Sequence, residues 1–219
     1  QSQITNPFPT MTFDFLEPIT TEKTSDAKER VLDAAEQQFH LHGYKAVTMQ
    51  EIADALGMRQ ASLYYHVPQG KEQLFVQVIE RRLARHQHGL CQAIMAEPVA
   101  LRDQLAAALR WFASQPPVHF LVMMQSDMPL LSDENQAHLT QLAYLATFAP
   151  LRQLFVDAQQ RGEIRVSDVD TLAGLMLSIV DGMSYIYEHR PNSPPTEQMI
   201  DTILSILLEG LYPRSAPQG

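Results

Sequence analysis

TMQEIADALGMRQASLYYHVPQGK, residues 48–71, carries two short helices and the turn that joins them. Thr48 and Glu51 stand at the spacing of a capping box, in which hydroxyl and carboxylate each satisfy the other's backbone N–H. Ile52, Ala53 and Leu56 then line one face for two turns. Gly57 follows, and glycine takes the left-handed conformation that ends a helix abruptly. Met58 closes the turn with an apolar contact, and a second helix is predicted to turn Leu63, Tyr64 and Val67 inward. The small Ala53 lets the two helices cross closely. This is a helix-turn-helix. Its second helix leaves Arg59, Gln60, Ala61, Ser62 and Tyr65 facing out, a surface suited to a DNA major groove. Arginine forks onto guanine and glutamine onto adenine, while alanine and serine permit close approach.

The flanks extend the pattern. Asp26 to His42 is amphipathic, with Val31, Leu32, Ala35 and Phe39 on one face, and Gly43-Tyr44 follows it. Downstream, Gly70-Lys71-Glu72 opens a long helix. The run from Lys28 to Phe75, KERVLDAAEQQFHLHGYKAVTMQEIADALGMRQASLYYHVPQGKEQLF, resembles the DNA-binding domain of the tetracycline-repressor (TetR) family. The resemblance implies an all-α protein. An N-terminal three-helix DNA-binding domain is joined by a long helix to a C-terminal helical domain for ligand binding and dimerisation, about nine helices altogether. It implies a cytoplasmic transcriptional regulator, a repressor that a small, mainly apolar molecule releases from a palindromic operator. Domain bounds follow as an extended arm over 1–24, the DNA-binding domain over 25–71, and the connecting helix with the ligand and dimer domain over 72–219.

Within the head, Arg59, Gln60, Ala61 and Ser62 are the candidate base contacts. Thr48 sits at a helix N-terminus, where hydroxyl and free N–H groups suit a phosphate. Tyr65 and His66 end the second helix with groups able to reach the DNA backbone, and Lys71 starts the next helix. Matching residues of the family commonly touch phosphates, which the resemblance carries to Thr48, Tyr65, His66 and Lys71 through LYYH and the GK pair. Plainer roles stand beside these: Thr48 is a helix cap with or without DNA, Tyr64 is core, and Lys71 is merely exposed. Arg59 stands where the family often has serine, so this helix lacks a side-chain N-cap, a loss that typically costs about 0.5–2 kcal/mol.

A net charge of −9 is unusual for a DNA-binding chain until it is divided along the sequence. Residues 22–90 hold nine Lys/Arg and nine Asp/Glu, whereas residues 91–219 hold seven and fourteen. The acidity lies outside the head, and a neutral head binds phosphate if its cations gather on one face. Cys91 is the only cysteine, which excludes an intrachain disulfide and fits a reducing cytoplasm. The start, QSQITNPFPT, has neither a basic nor an apolar region, so no signal peptide is expected. No uncharged apolar run reaches the roughly 18 residues of a span, and no membrane partner is expected. His40 with His42, and His86 with His88, point roughly 200° apart on a helix and cannot chelate together, so no metal or other cofactor is expected.

The arm over 1–24 holds Pro7, Pro9 and Pro18 but also Phe8, Met11, Phe13, Phe15 and Leu16, which suit packing on the chain itself or on a partner. After Pro98 the pattern stays helical. Helices are predicted over 101–114, 118–128, 132–161 with a kink at Pro150, 167–189 and 196–212. The last two are apolar on more than one face, and such helices need cover on both sides. Leu172, Leu175, Ile179, Met183, Ile200, Leu204, Leu207 and Leu211 are therefore the candidate homodimer seam, with Gly174, Ser178 and Gly182 permitting close approach. A central place in a monomeric core is the other reading. Trp111, Phe112, Phe120, Met123, Met124, Met128, Tyr144, Phe148 and Tyr185 are candidates for an apolar effector pocket, with Asp127 and Asp181 as polar partners. The same residues also suit plain core.

No Gly-rich phosphate loop, HExxH or nucleophile elbow is present, so no enzyme is predicted and no catalytic residue is assigned. The alternatives to a DNA-binding regulator are a helical carrier with a vestigial helix-turn-helix and an enzyme of unrecognised type. Arg59, Gln60, Tyr65 and Lys71, all outward beside the turn, favour double-stranded operator DNA as partner, and the family resemblance implies a small-molecule effector as well.

Overall fold

A computed structural model describes residues 18–21, 25–115, 126–165, 168–189 and 196–209. Every regular element among them is helical: the chain is all-α. They pack as two compact units. One holds the described residues up to His88 and those from 126 to Thr147; the other holds Gly89 to Gln115 and those from Phe148 onward.

The first unit begins with α1, Asp26–Ala46, whose first turn is capped by Ser25. Gly43 breaks this helix with φ +74° and ψ 163°, so that Tyr44 turns into the core. Helices α2, Met49–Ala55, and α3, Gln60–His66, follow, and α4, Lys71–Met95, starts here. Val31, Leu32, Phe39, Ile52, Leu63 and Phe75 form the centre of the core. Phe75 meets Phe39 edge-on at 5.1 Å and Tyr44 at 4.7 Å between ring centroids. Arg81 fastens α4 to α1 through Glu29, Asp33 and Glu36, at 2.8, 2.8 and 2.7 Å. Burial works against its charge, but these bonds outweigh it and raise the guanidinium's pKa.

The same unit takes in residues far downstream. A 3-10 turn, Met128–Leu130, leads into α6, Asp133–Ala143, capped by Ser132. Met128, Leu131, Leu139, Ala143 and Ala146 enter the core that the helix-turn-helix helices build. Packing thus groups the start of α4 and residues 126–147 with the head, whereas the sequence divides at 71/72. Near Pro150, where a kink is predicted, the chain forms a π-helix, Tyr144–Phe148, directly before α7, Ala149–Gln160, with Pro150 in its first turn. Proline has no N–H to return to the preceding turn. The Leu145 carbonyl is met instead by the buried Gln87 side chain at 3.1 Å, and Thr147 Oγ1 donates to the Ala143 carbonyl at 2.8 Å.

The second unit joins the end of α4 to α5, Leu101–Ser114, α7, α8, Val169–His189, and α9, Thr196–Glu209. Its core holds Leu90, Leu105, Leu109, Leu154, Phe155 and Met176. No cap side chain opens α5, and the Glu163 carboxylate takes that place by accepting from the Leu101 N–H at 2.9 Å. One close approach fixes α4 against α5: the Trp111 ring lies where a side chain on Gly89 would begin. By length and composition Val169–Tyr187 could cross a membrane, with mean hydropathy 1.3, yet only 17% of that window is buried within the chain. The helix predicted over 118–128 lies almost wholly outside the described residues, as do the apolar positions of the arm.

Candidate nucleic-acid interface

The capping box forms as its spacing requires. Glu51 N–H donates to Thr48 Oγ1 at 3.2 Å, and Thr48 N–H donates to Glu51 Oε2 at 2.7 Å. The Thr48 N–H bond first, and then the Thr48 Oγ1–H bond to the same oxygen at 2.8 Å, hold the Glu51 carboxyl below its ordinary pKa. After α2, Gly57 takes φ +64° and the Met58 N–H returns to the Ala53 carbonyl at 3.0 Å, which sets the angle of α3. Arg59 stands at the N-cap of α3 with no side-chain hydrogen bond to it, as the sequence predicts. Leu63 and Val67 are fully buried and anchor α3 from below.

Above them the outward surface is open. Arg59, Ala61 and Ser62 are exposed, Gln60 and His66 are half-buried, and Tyr65 is 84% exposed. Thr48 is exposed at the N-terminus of α2. Tyr64 corrects its predicted place in the core. It is 42% exposed and lies over Gly70, because Leu63 and Val67 already fill the inward face.

Lys71 has a second occupation. Its Nζ donates to the Tyr44 carbonyl at 2.9 Å and to the Val47 carbonyl at 3.0 Å, and lies 4.4 Å from the Tyr44 ring centroid. It thus ties the end of α1 to the segment entering α2. An ammonium has three donors, so one remains for a phosphate.

The geometry places an exposed Arg/Ala/Ser/Tyr surface, with the half-buried Gln60 beside it, on a helix held at a fixed angle by a capped neighbour. The profile of the bacterial regulatory proteins of the tetR family matches residues 31–78, the same elements. The HTH-type transcriptional repressor ComR of Escherichia coli (strain K12) is 30% identical over 164 residues, 72% of this chain and 77% of its own length. The chain belongs to the TetR family. Among solved structures, the TetR-family regulator PfmR of Thermus thermophilus is 29% identical with TM-score 0.60, covering 84% of this chain and 100% of that one. AibR, solved with isovaleryl coenzyme A and operator DNA, shares the fold at TM-score 0.66 and 23% identity, over 85% and 100% of the two chains.

In this TetR-family regulator the residues expected to line an effector pocket divide between the two units. Trp111, Phe112, Phe148 and Tyr185 belong to the second unit, while Met128 and Tyr144 belong to the first. Met128 is buried in the head's core, and Tyr144 and Tyr185 are exposed. Phe120, Met123 and Met124 lie outside the described residues. A cleft of about 140 Å³ does open in the second unit, lined by Leu109, Phe112, Ala113, Val180, Met183 and Tyr187, with Gln115 and Ser184 beside them. Of these only Phe112 was expected there. Val180, Ser184 and Tyr187 recur at helical spacing on one face of α8, a signal readable beforehand. Asp127 accepts the Tyr44 N–H within the head unit, and burial raises its pKa.

The seam residues also divide. Ile200, Leu204 and Met183 are buried in the core of their own unit. Leu172, Ile179 and Leu207 are half-buried and Leu175 is 45% exposed; Leu211 lies outside the described residues.

Proposed function

We propose that this TetR-family regulator is a ligand-responsive repressor that reads a palindromic operator as a homodimer. The observation that carries this reading is the open face of α3. Arg59 and Gln60 reach base edges there, with Ala61 and Ser62 allowing close approach. Tyr65, His66 and the remaining Lys71 donor take phosphates on either side, while both Thr48 donors stay with Glu51 Oε2 in the capping box. A second copy packs on the uncovered face of α8 and α9, where Leu175 and Ile206 are 45% and 46% exposed. A side chain on Gly174 or Gly182 would meet nothing within 4 Å of its Cβ, which leaves room for another helix to approach. That face accounts for an apolar α8 so little buried within its own chain. A twofold dimer sets two recognition helices about 34–36 Å apart, or a multiple of that spacing.

The effector is a small, mainly apolar molecule held in the cleft between α5 and α8, with the Ser184 hydroxyl beside it and the Tyr187 oxygen, whose proton goes to Thr196 Oγ1, as an acceptor. AibR, of the same fold, was solved with an acyl coenzyme A and with operator DNA, which supports a response of one site to the other in this chain too. Helix α4 runs through both units and is the element along which occupancy of the cleft changes the head.

The test is selection from a random duplex pool, followed by titration of the winning duplex at several salt concentrations. Arg59→Ala should relax preference at one base position and cost about 1–3 kcal/mol. Enrichment of no sequence, or an Arg59→Ala variant with unaltered preference, would reject the reading.

A further inference from the structure

The family profile ends at residue 78, yet the head is completed by a segment beginning near residue 127. Two carboxylates fasten it, one from each side. Asp127 Oδ1 accepts the N–H of Tyr44, just past the break at Gly43, at 3.3 Å. In the opposite direction Glu72, the residue after Lys71, accepts from the Ser132 N–H and from Asn135 Nδ2, both at 2.7 Å. Between the two clasps Met128 and Leu131 are buried in the head's core.

Tyr44 is the point where this segment touches the DNA-facing corner. Its N–H is held by Asp127; its carbonyl is held by Lys71, which also holds the carbonyl of Val47. Val47 directly precedes Thr48, the cap of α2. The backbone from Gly43 to Thr48 is therefore fixed from two directions, and only one of them is encoded in the helix-turn-helix. Gly43 makes this necessary. A residue at φ +74° interrupts the helical ladder, and the following turn needs acceptors from elsewhere.

We infer that Asp127, seconded by the Glu72–Ser132–Asn135 clasp, is a positioning residue for DNA binding: it holds the Gly43–Thr48 turn, whose carbonyls seat Lys71, so that the remaining donor of that ammonium faces an operator phosphate. This rests on the DNA-reading function proposed above. A purely structural clasp would change the melting temperature of the protein without changing the affinity of molecules that remain folded. A positioning clasp changes the affinity and its salt dependence in fully folded protein.

The probe is the duplex enriched from a random pool by the unmutated full chain, titrated at a temperature where circular dichroism shows each variant fully folded. Asp127→Ala is expected to bind at least about tenfold more weakly, and its plot of log Kd against log salt flattens by about one, the slope of one phosphate contact. Asp127→Asn keeps a carbonyl acceptor in the same place and is expected to bind within about threefold of the unmutated chain. If Asp127→Ala does not fold at any usable temperature, Asn135→Ala, which removes only a bond to Glu72, is judged by the same loss and the same flattening. A folded variant with unaltered Kd and slope overturns the inference. So does an Asn variant as weak as the Ala variant, because charge rather than the positioned acceptor would then matter. Failure of the unmutated chain to enrich any duplex overturns instead the reading on which this one rests.

Discussion

Gly89→Ala opposes two effects of known sign at one position of α4. Helix propensity alone favours alanine over glycine in a helix interior by about 1 kcal/mol. Packing opposes it. A Cβ at residue 89 would lie 2.0 Å from Cη2, 2.1 Å from Cζ2 and 2.8 Å from Cζ3 of Trp111. Carbon atoms rest at about 3.5–4.0 Å, so the indole must withdraw by more than an ångström. The ring is half-buried and packs against the core of its unit, and overfilling such a site costs about 1–3 kcal/mol. The steric cost therefore wins, and Gly89→Ala is expected to lower stability by about 1 kcal/mol in urea unfolding followed by circular dichroism. On a Trp111→Leu background the obstacle is gone and only propensity remains. There the same substitution is expected to stabilise by about 1 kcal/mol, a reversal of sign. Trp111 is the only tryptophan, so its fluorescence reports the displaced ring directly. Equal stabilisation in both backgrounds, with unchanged emission, would show that the Trp111 contact does not constrain α4.

Lys71→Met removes two charge-assisted bonds to carbonyls, each worth about 1.5–3 kcal/mol when fully sheltered. Because Lys71 is half-exposed, a total loss of about 2 kcal/mol is expected in urea unfolding, together with a salt slope smaller by about one; unaltered stability would refute the internal role, and an unaltered slope the phosphate role. His86 is buried, and burial, aided by Arg82, lowers its pKa to about 4. The unfolded chain then binds more protons between pH 6.5 and 4, so stability should fall by about 3 kcal/mol as pH drops through that window. His86→Leu should remove this part of the pH dependence, and an equal slope in the variant would refute it. Leu175→Glu, on the open face of α8, is expected to give folded monomers in sedimentation at micromolar concentration. Leu204→Glu, inside the protomer core, should instead unfold the unit. A stable dimer of the Leu175 variant would move the interface elsewhere.

What the sequence by itself determined is local. A capping box, a turn glycine and apolar periodicity act within a few residues, where backbone geometry alone sets which groups meet. Thr48, Glu51, Gly57, Leu63 and the missing cap at Arg59 were legible for that reason. So was an irregularity of the helix near Pro150, because the missing N–H is a property of one residue. Only the tertiary structure decided the rest. Spacing cannot show that Leu63 and Val67 already fill the inward face of α3, which pushes Tyr64 outward. Nor can apolarity separate Ile200 and Leu204, covered by their own unit, from Leu175, left open. The Asp127 carboxylate meets the Tyr44 N–H across 83 residues, and no local rule pairs a donor and acceptor that far apart. Lys71 reads from sequence as an exposed cation, because the two carbonyls that receive its ammonium come together only once α1 breaks at Gly43 and α4 packs beside it.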